Sequence, residues 1–315
     1  FTNFFPKASF TYKIKPSENI RFNYNGSTQA PSLEQLQPIR VNTDPLNIYI
    51  GNPNLDQAFR HSFNLNYGSW NALKERNFWA GLNFNLTQNA FSQFSSIDSV
   101  GRRIYQTVNV DGLYNLNLYS DYGFKIPDTK WRLGIGPNLN FNRNIDFIRD
   151  AKSNETAKNI TDTRSYGTRI NISQHVNDKY NFYIGPNFTW NTSKASINSN
   201  ANADYWQVET WAQGNVTLPW KFEIGTDLNF QVRKKDPRFP ANNNFTTWNA
   251  NLVKRILKNE LEFRVTVYDI LNENRGYNRS FNSYSFTETY FNTLRRFWMF
   301  SVTWNISKNG KPASF

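Results

Sequence analysis

The side chains able to do chemistry are few. Two histidines, His61 and His175, and no cysteine occur among the 315 residues. Without thiols there are no disulfides, thiolate metal centres or cysteine nucleophiles. His61 precedes Ser62 at the start of an alternating segment, and His175 lies beside Asn177 and Asp178 on a polar face. A hydrolytic triad or a zinc site needs further groups converging on the imidazole, and neither neighbourhood supplies them. Both histidines are expected at a rim or on a polar wall. Asp269 and Glu273 stand four apart near a strand end, where paired carboxylates are expected to be solvated charges. No catalytic residue, metal site or cofactor is expected, and the chain is read as a non-enzyme. The residues best suited to hold a ligand are Arg275, Tyr277, Arg279 and Tyr284. They mix cationic and aromatic groups in one loop, which suits an anionic or sugar-like molecule.

The elements that must position them follow from a period-two pattern. Trp131, Leu133, Ile135, Leu139 and Phe141 interleave with Arg132, Gly134, Gly136, Asn138, Asn140 and Asn142. Tyr180, Phe182, Ile184, Phe188 and Trp190 alternate in the same way with Asn181, Tyr183, Gly185, Asn187 and Thr189. Successive side chains of a strand point to opposite faces, so each segment has one apolar and one polar face. About thirteen such segments, most near the ten residues that cross a bilayer at a tilt, predict an all-β, antiparallel, up-and-down transmembrane β-barrel. No run approaches eighteen apolar residues, so a spanning helix is excluded. The mean hydropathy of −0.68 is no objection, because half of every barrel strand and all the loops are polar.

Connection lengths alternate. Short turns are expected at Pro16–Asn19, Asn71–Arg76, Pro127–Lys130, Asn177–Lys179, Leu218–Lys221 and Leu257–Asn259, with long loops at Gln29–Ala58, Arg149–Thr161, Asp236–Asn244 and Asn272–Tyr290. Bacterial barrels have short periplasmic turns and longer outer loops. Trp70, Trp79, Trp131 and Trp220 lie beside short turns and Trp190, Trp206 and Trp248 beside long loops, as two interfacial belts would require. Leu116, Leu118, Ile135, Leu139, Ile184, Phe188, Phe263 and Val265 should face lipid; Asn117, Asn138, Asn140, Asn187 and Arg264 should face the lumen. The formal charge of +12 is assigned to loops, lumen and lipopolysaccharide phosphates rather than nucleic acid, since no basic helix or long Lys/Arg run is present.

Two stretches carry a resemblance. Pro31-Ser32-Leu33, Leu36-Gln37-Pro38 and Gly51-Asn52-Pro53-Asn54-Leu55 precede the strand ending near Tyr67, and Tyr268-Asp269-Ile270-Leu271-Asn272-Glu273-Asn274 precedes Leu294-Arg295-Arg296-Phe297-Trp298-Met299. In order and spacing this resembles the barrel of TonB-dependent outer-membrane receptors of the Bacteroidota type. The resemblance implies a 22-stranded barrel, plugged by an N-terminal globular domain, that imports a siderophore, oligosaccharide or peptide-like nutrient with energy passed through TonB. Neither a plug domain nor a TonB-box-like leader is found in the sequence, so residues 1–315 are expected to be a single barrel segment, the C-terminal part of a larger receptor. The odd strand count places Phe315 in the periplasm and Phe1 on the outer side, with an open sheet. A passive porin of about fourteen strands and a secreted all-β carbohydrate-binding protein are the competing readings. The expected setting is a Gram-negative outer membrane, with lipid, lipopolysaccharide and the TonB complex as partners.

Overall fold

The structure, a computed structural model, describes residues 3–149, 155–197, 199, 202–238, 244–281 and 286–306. In it the alternating segments form one antiparallel meander. Its strands are β1 (Lys7–Lys15), β2 (Glu18–Gln29), β5 (Ala58–Asn71), β6 (Arg76–Gln88), β9 (Leu113–Lys125), β10 (Trp131–Arg149), β11 (Thr156–Val176), β12 (Tyr180–Ala195), β13 (Ala203–Leu218), β14 (Phe222–Arg233), β15 (Phe245–Ile256), β16 (Leu261–Tyr268) and β19 (Phe297–Trp304). Each pairs antiparallel with the next, giving the expected thirteen wall strands. Among the described residues β1 pairs only with β2, and β19 only with β16. The two edges do not join, and all nine residues of β1 are exposed.

Short and long connections alternate as expected, and the long ones hold structure of their own. After β2 come a helical turn α1 (Leu33–Leu36), β3 (Arg40–Asp44) and β4 (Asn47–Ile50). Ser32 starts α1 with a reciprocal capping box to Gln35. Between β6 and β9 stands a hairpin of β7 (Ala90–Ile97) and β8 (Arg103–Val110), and between β16 and β19 another of β17 (Tyr277–Phe281) and β18 (Phe286–Tyr290). β7 runs parallel to the top of β10, and β4 runs parallel to β8. At wall level the order is β6–β9–β10, whereas above it β8–β7–β10, so the hairpin turns over as it leaves the wall. Asn89 (φ 48°) and Gly112 (φ 99°) absorb that twist in the left-handed region.

The wall is one layer thick, so buried apolar side chains concentrate where these outer pieces stack. Ile48, Leu55, Ala58, Ala90, Val110 and Ile145 are buried there; Val253 on β15 is the other buried apolar residue among those described. The Gly51-Asn52-Pro53-Asn54-Leu55 turn is clamped to β8. Asn52 Nδ2 donates to the Thr107 carbonyl at 3.0 Å, Gln106 Nε2 to that of Gly51 at 3.0 Å, and Asn109 both accepts from Asp56 N–H at 2.8 Å and donates to its carbonyl at 3.0 Å.

The two faces sort as the alternation requires. Ile135, Ile184, Phe188 and Val265 are large apolar side chains left exposed, and Leu116, Leu118, Leu139 and Phe263 are half-buried by neighbours in the same rows. Asn117, Asn138, Asn140, Asn187 and Arg264 occupy the opposite, polar face. The tryptophan belts need one correction. Trp131, Trp190, Trp206, Trp248 and Trp304 share the apolar face, but Trp79 covers Gly68 on the polar face, where a Cβ would come within 2.3 Å of the indole. Trp70, two residues beyond Gly68, shares that side. Trp79 fills space above glycine, and neither indole is on the apolar face. Phe1 and Phe315, whose sides of the membrane the sequence analysis assigned, lie outside the described residues.

Candidate functional site

The last outer loop is built around one aspartate. Asp269 ends β16 at φ 50° and is buried, 3% exposed, contrary to the solvated pair expected with Glu273. Its carboxylate accepts the N–H groups of Glu273 and Asn274, each at 3.0 Å. Two backbone donors that would be orphaned as the strand breaks are thereby satisfied. Asn272 Oδ1 accepts from Arg296 N–H at 3.3 Å, and Asn274 Nδ2 donates to the Leu294 carbonyl at 3.1 Å. At Gly276 a Cβ would sit 1.7 Å from the Phe291 carbonyl oxygen, so only glycine lets the two limbs of the loop touch.

These links hold open a cleft of about 560 Å³ lined by Asn274, Arg275, Tyr277, Tyr290, Phe291 and Arg295 among others. Two of the four expected ligand residues, Arg275 and Tyr277, thus share one wall. The Tyr277 and Tyr290 rings lie 5.1 Å apart, and the Tyr277 hydroxyl donates to Glu288. Arg279 pairs in register with Glu288 on the β17–β18 hairpin. Tyr284 lies outside the described residues. The cleft lining holds two arginines and no carboxylate, so its electrostatics favour an anionic group.

Below the cleft, on the polar face, lies a groove of about 460 Å³ that sequence reasoning missed. Arg169, Asn187, Glu209, Trp211, Asn229 and Gln231 line it, from β11 to β14, and Phe245 lines both groove and cleft. Trp211 stands opposite Gly185 in register and 5.1 Å from the Tyr183 ring, whose hydroxyl donates to Asn171 at 2.7 Å. The backbone here is loosened by Pro186. It has no N–H to give, and the β11–β12 ladder skips from Ile172↔Ile184 to Arg169↔Asn187. The same Gly-Pro-Asn triplet recurs at Gly136-Pro137-Asn138, with the same skip between β9 and β10. That repeat is visible in the sequence and is the signal that could have located the groove. Asn187 Oδ1 is buried with no hydrogen-bond partner among the described residues, an acceptor left over for a donor.

Towards the short turns the same face is charged: Glu262 bridges Arg255 at 2.9 Å and Arg264 at 2.8 Å. The histidines stay apart from both cavities. His61 Nδ1 lies 2.9 Å from the Tyr24 hydroxyl and its ring 4.8 Å from that of Phe59, while His175 is exposed on the polar face. No group of three or more potential metal ligands occurs among the described residues.

Comparison with known proteins agrees with this architecture. No curated protein matches the chain. The model of a family described as an outer membrane protein beta-barrel family matches residues 1–154 and 138–304, nearly the whole length. With one large, mainly antiparallel sheet, an apolar face and alternating connections, the chain belongs to the outer membrane protein beta-barrel family.

Proposed function

We propose that the protein imports a polar nutrient across a Gram-negative outer membrane as the barrel part of a TonB-dependent receptor. The observation that carries the reading is the placing of an outer cleft and a lumen groove next to one another, with Phe245 lining both. A ligand caught by Arg275 and Arg295 at the mouth would find Phe245 as the first side chain common to cleft and groove. The groove balances one arginine against one glutamate and surrounds an indole with amides that both donate and accept. That chemistry favours a neutral oligosaccharide or peptide segment at the wall, with any anionic portion at the mouth. A passive pore is less well supported, because β1 and β19 do not meet and an open edge in lipid leaves unpaired backbone groups. Further strands are expected to complete the wall.

Intact cells producing the protein provide the test. Accumulation of a labelled oligosaccharide, a labelled peptide and a ferric siderophore is measured with TonB functional and with TonB disrupted. One of the three should accumulate only with functional TonB, and Trp211→Ala should slow it at least tenfold. Uptake of all three that is indifferent to TonB and graded by size would establish a passive pore instead.

A further inference from the structure

The apolar face of β10 to β13 carries a second feature that neither cleft nor groove uses. Four rows of side chains climb this face towards the long loops. The lowest holds Pro137, Thr168, Phe188 and Val208, and the next holds Leu139, Tyr166, Trp190 and Trp206, cross-strand neighbours in each case. The short side chains of Pro137 and Thr168 leave a trough of about 510 Å³ between the larger rings, mostly apolar in its lining. Tyr166 and Trp190 contact one another at 5.7 Å and mark the interfacial girdle.

Directly above the girdle, on the same face, stand Arg164, between Phe141 and Thr192, and Lys194, opposite Asp162. Both are exposed. The acids beside them are already engaged: both Asp162 oxygens accept from Arg143, at 2.7 and 2.8 Å, and Asp204 accepts from Trp190 Nε1 at 2.8 Å. Among the described residues neither Arg164 nor Lys194 forms an ion pair. Two and four residues beyond the girdle, they lie about 7 and about 13 Å above it along the strands. Phosphates of a membrane headgroup sit at that height, over acyl chains that can enter the trough. Thr192, directly opposite Arg164 and two residues before Lys194, offers a hydroxyl for a hydrogen bond.

We propose that this face is a binding site for a phosphorylated glycolipid of the lipid A type. Its phosphates meet Arg164 and Lys194, and one acyl chain lies in the trough at Pro137 and Thr168. The site is independent of whatever the lumen carries.

The test uses the whole protein, delipidated in a polyoxyethylene detergent and titrated with bisphosphorylated lipid A under native mass spectrometry. One lipid should be retained. Removing its phosphates, or making the Arg164→Gln/Lys194→Gln pair, should weaken retention at least tenfold, while Arg164→Lys/Lys194→Arg should restore it. Thr168→Trp, which fills the trough and leaves both charges, should also weaken it. Retention unchanged by the charge-removing pair, equal retention of dephosphorylated lipid A, or equal retention of cardiolipin would overturn the proposal. Displacement of lipid A by inorganic phosphate at the same concentration would also overturn it, marking a phosphate site with no part for the acyl chains.

Discussion

Leu118 lies between Leu82 on β6 and Leu139 on β10, in the middle of an apolar row, and Asn117 lies between Asn83 and Asn140 in a polar one. A single step of register separates hydrocarbon from the polar face. Leu118→Arg should therefore destabilise the folded, membrane-inserted protein by roughly 2–4 kcal/mol, with Asn117→Arg far better tolerated. Equilibrium unfolding from liposomes measures both, and equal costs would contradict the facing. Facing was legible because alternation alone dictates it. What alternation hides is the environment of single polar residues. Asp269 reads as a rim charge, yet its position at a positive φ, between two backbone donors, makes it an internal cap. Asp269→Ala should cost about 1–2 kcal/mol locally, the usual worth of a capping side chain. Amide hydrogen exchange should quicken at Glu273 and Asn274 while the wall strands keep their protection.

Among the elements, the short turns are tied to the wall by charge. Glu75, in the turn between β5 and β6, receives Lys125 from the end of β9 at 2.5 Å and Arg132 from the start of β10 at 2.7 Å. The hydrogen bond from Lys125, aided by the positive field of both cations and opposed by partial desolvation, holds the Glu75 carboxyl below its ordinary value. A carboxylate depressed on folding contributes order that is fully present above the ordinary carboxylate range and is lost as the pH falls through the depressed value. Protection factors across 72–75, with the intrinsic pH dependence of exchange divided out, should accordingly fall on acidification into that range, and Glu75→Gln should make their acid dependence flat. An unchanged acid dependence in the variant would remove Glu75 from the account. The outer hairpins were harder to read than the turns. The 89–112 segment carries scattered apolar residues, Phe91, Phe94, Ile104 and Val108, in place of a full alternating face, because β7 and β8 leave the bilayer and pack on β4 and β10. β4 pairs locally with β3, but its parallel partner, β8, lies more than fifty residues on and has no local signature.

At the scale of the whole molecule, the count of wall strands has a geometric consequence. In a meander of thirteen antiparallel strands the first and last run in the same direction, so β1 and β19 cannot close on one another in the antiparallel ladder that the rest of the wall uses. The short-turn rule and the length alternation made that count legible in the sequence; the lumen groove was not, since it depends on which residues of distant strands share a level. The absence of cysteine gives a clean test of the open sheet. Phe263 and Val302 are register partners on β16 and β19, whereas Phe10 and Val302 lie on the two free edges. Directly opposed positions in a sheet fall within the Cα separation of about 4.4–6.8 Å that a disulfide spans. Phe263→Cys/Val302→Cys should therefore cross-link on mild oxidation in the membrane, and Phe10→Cys/Val302→Cys should not. Each free edge presents a row of unpaired backbone groups that hydrocarbon cannot satisfy, so in the native membrane each must have a neighbouring strand. An efficient cross-link between positions 10 and 302 would mean that these strands meet directly, closing a thirteen-stranded ring through one parallel seam and leaving no place in the wall for further strands.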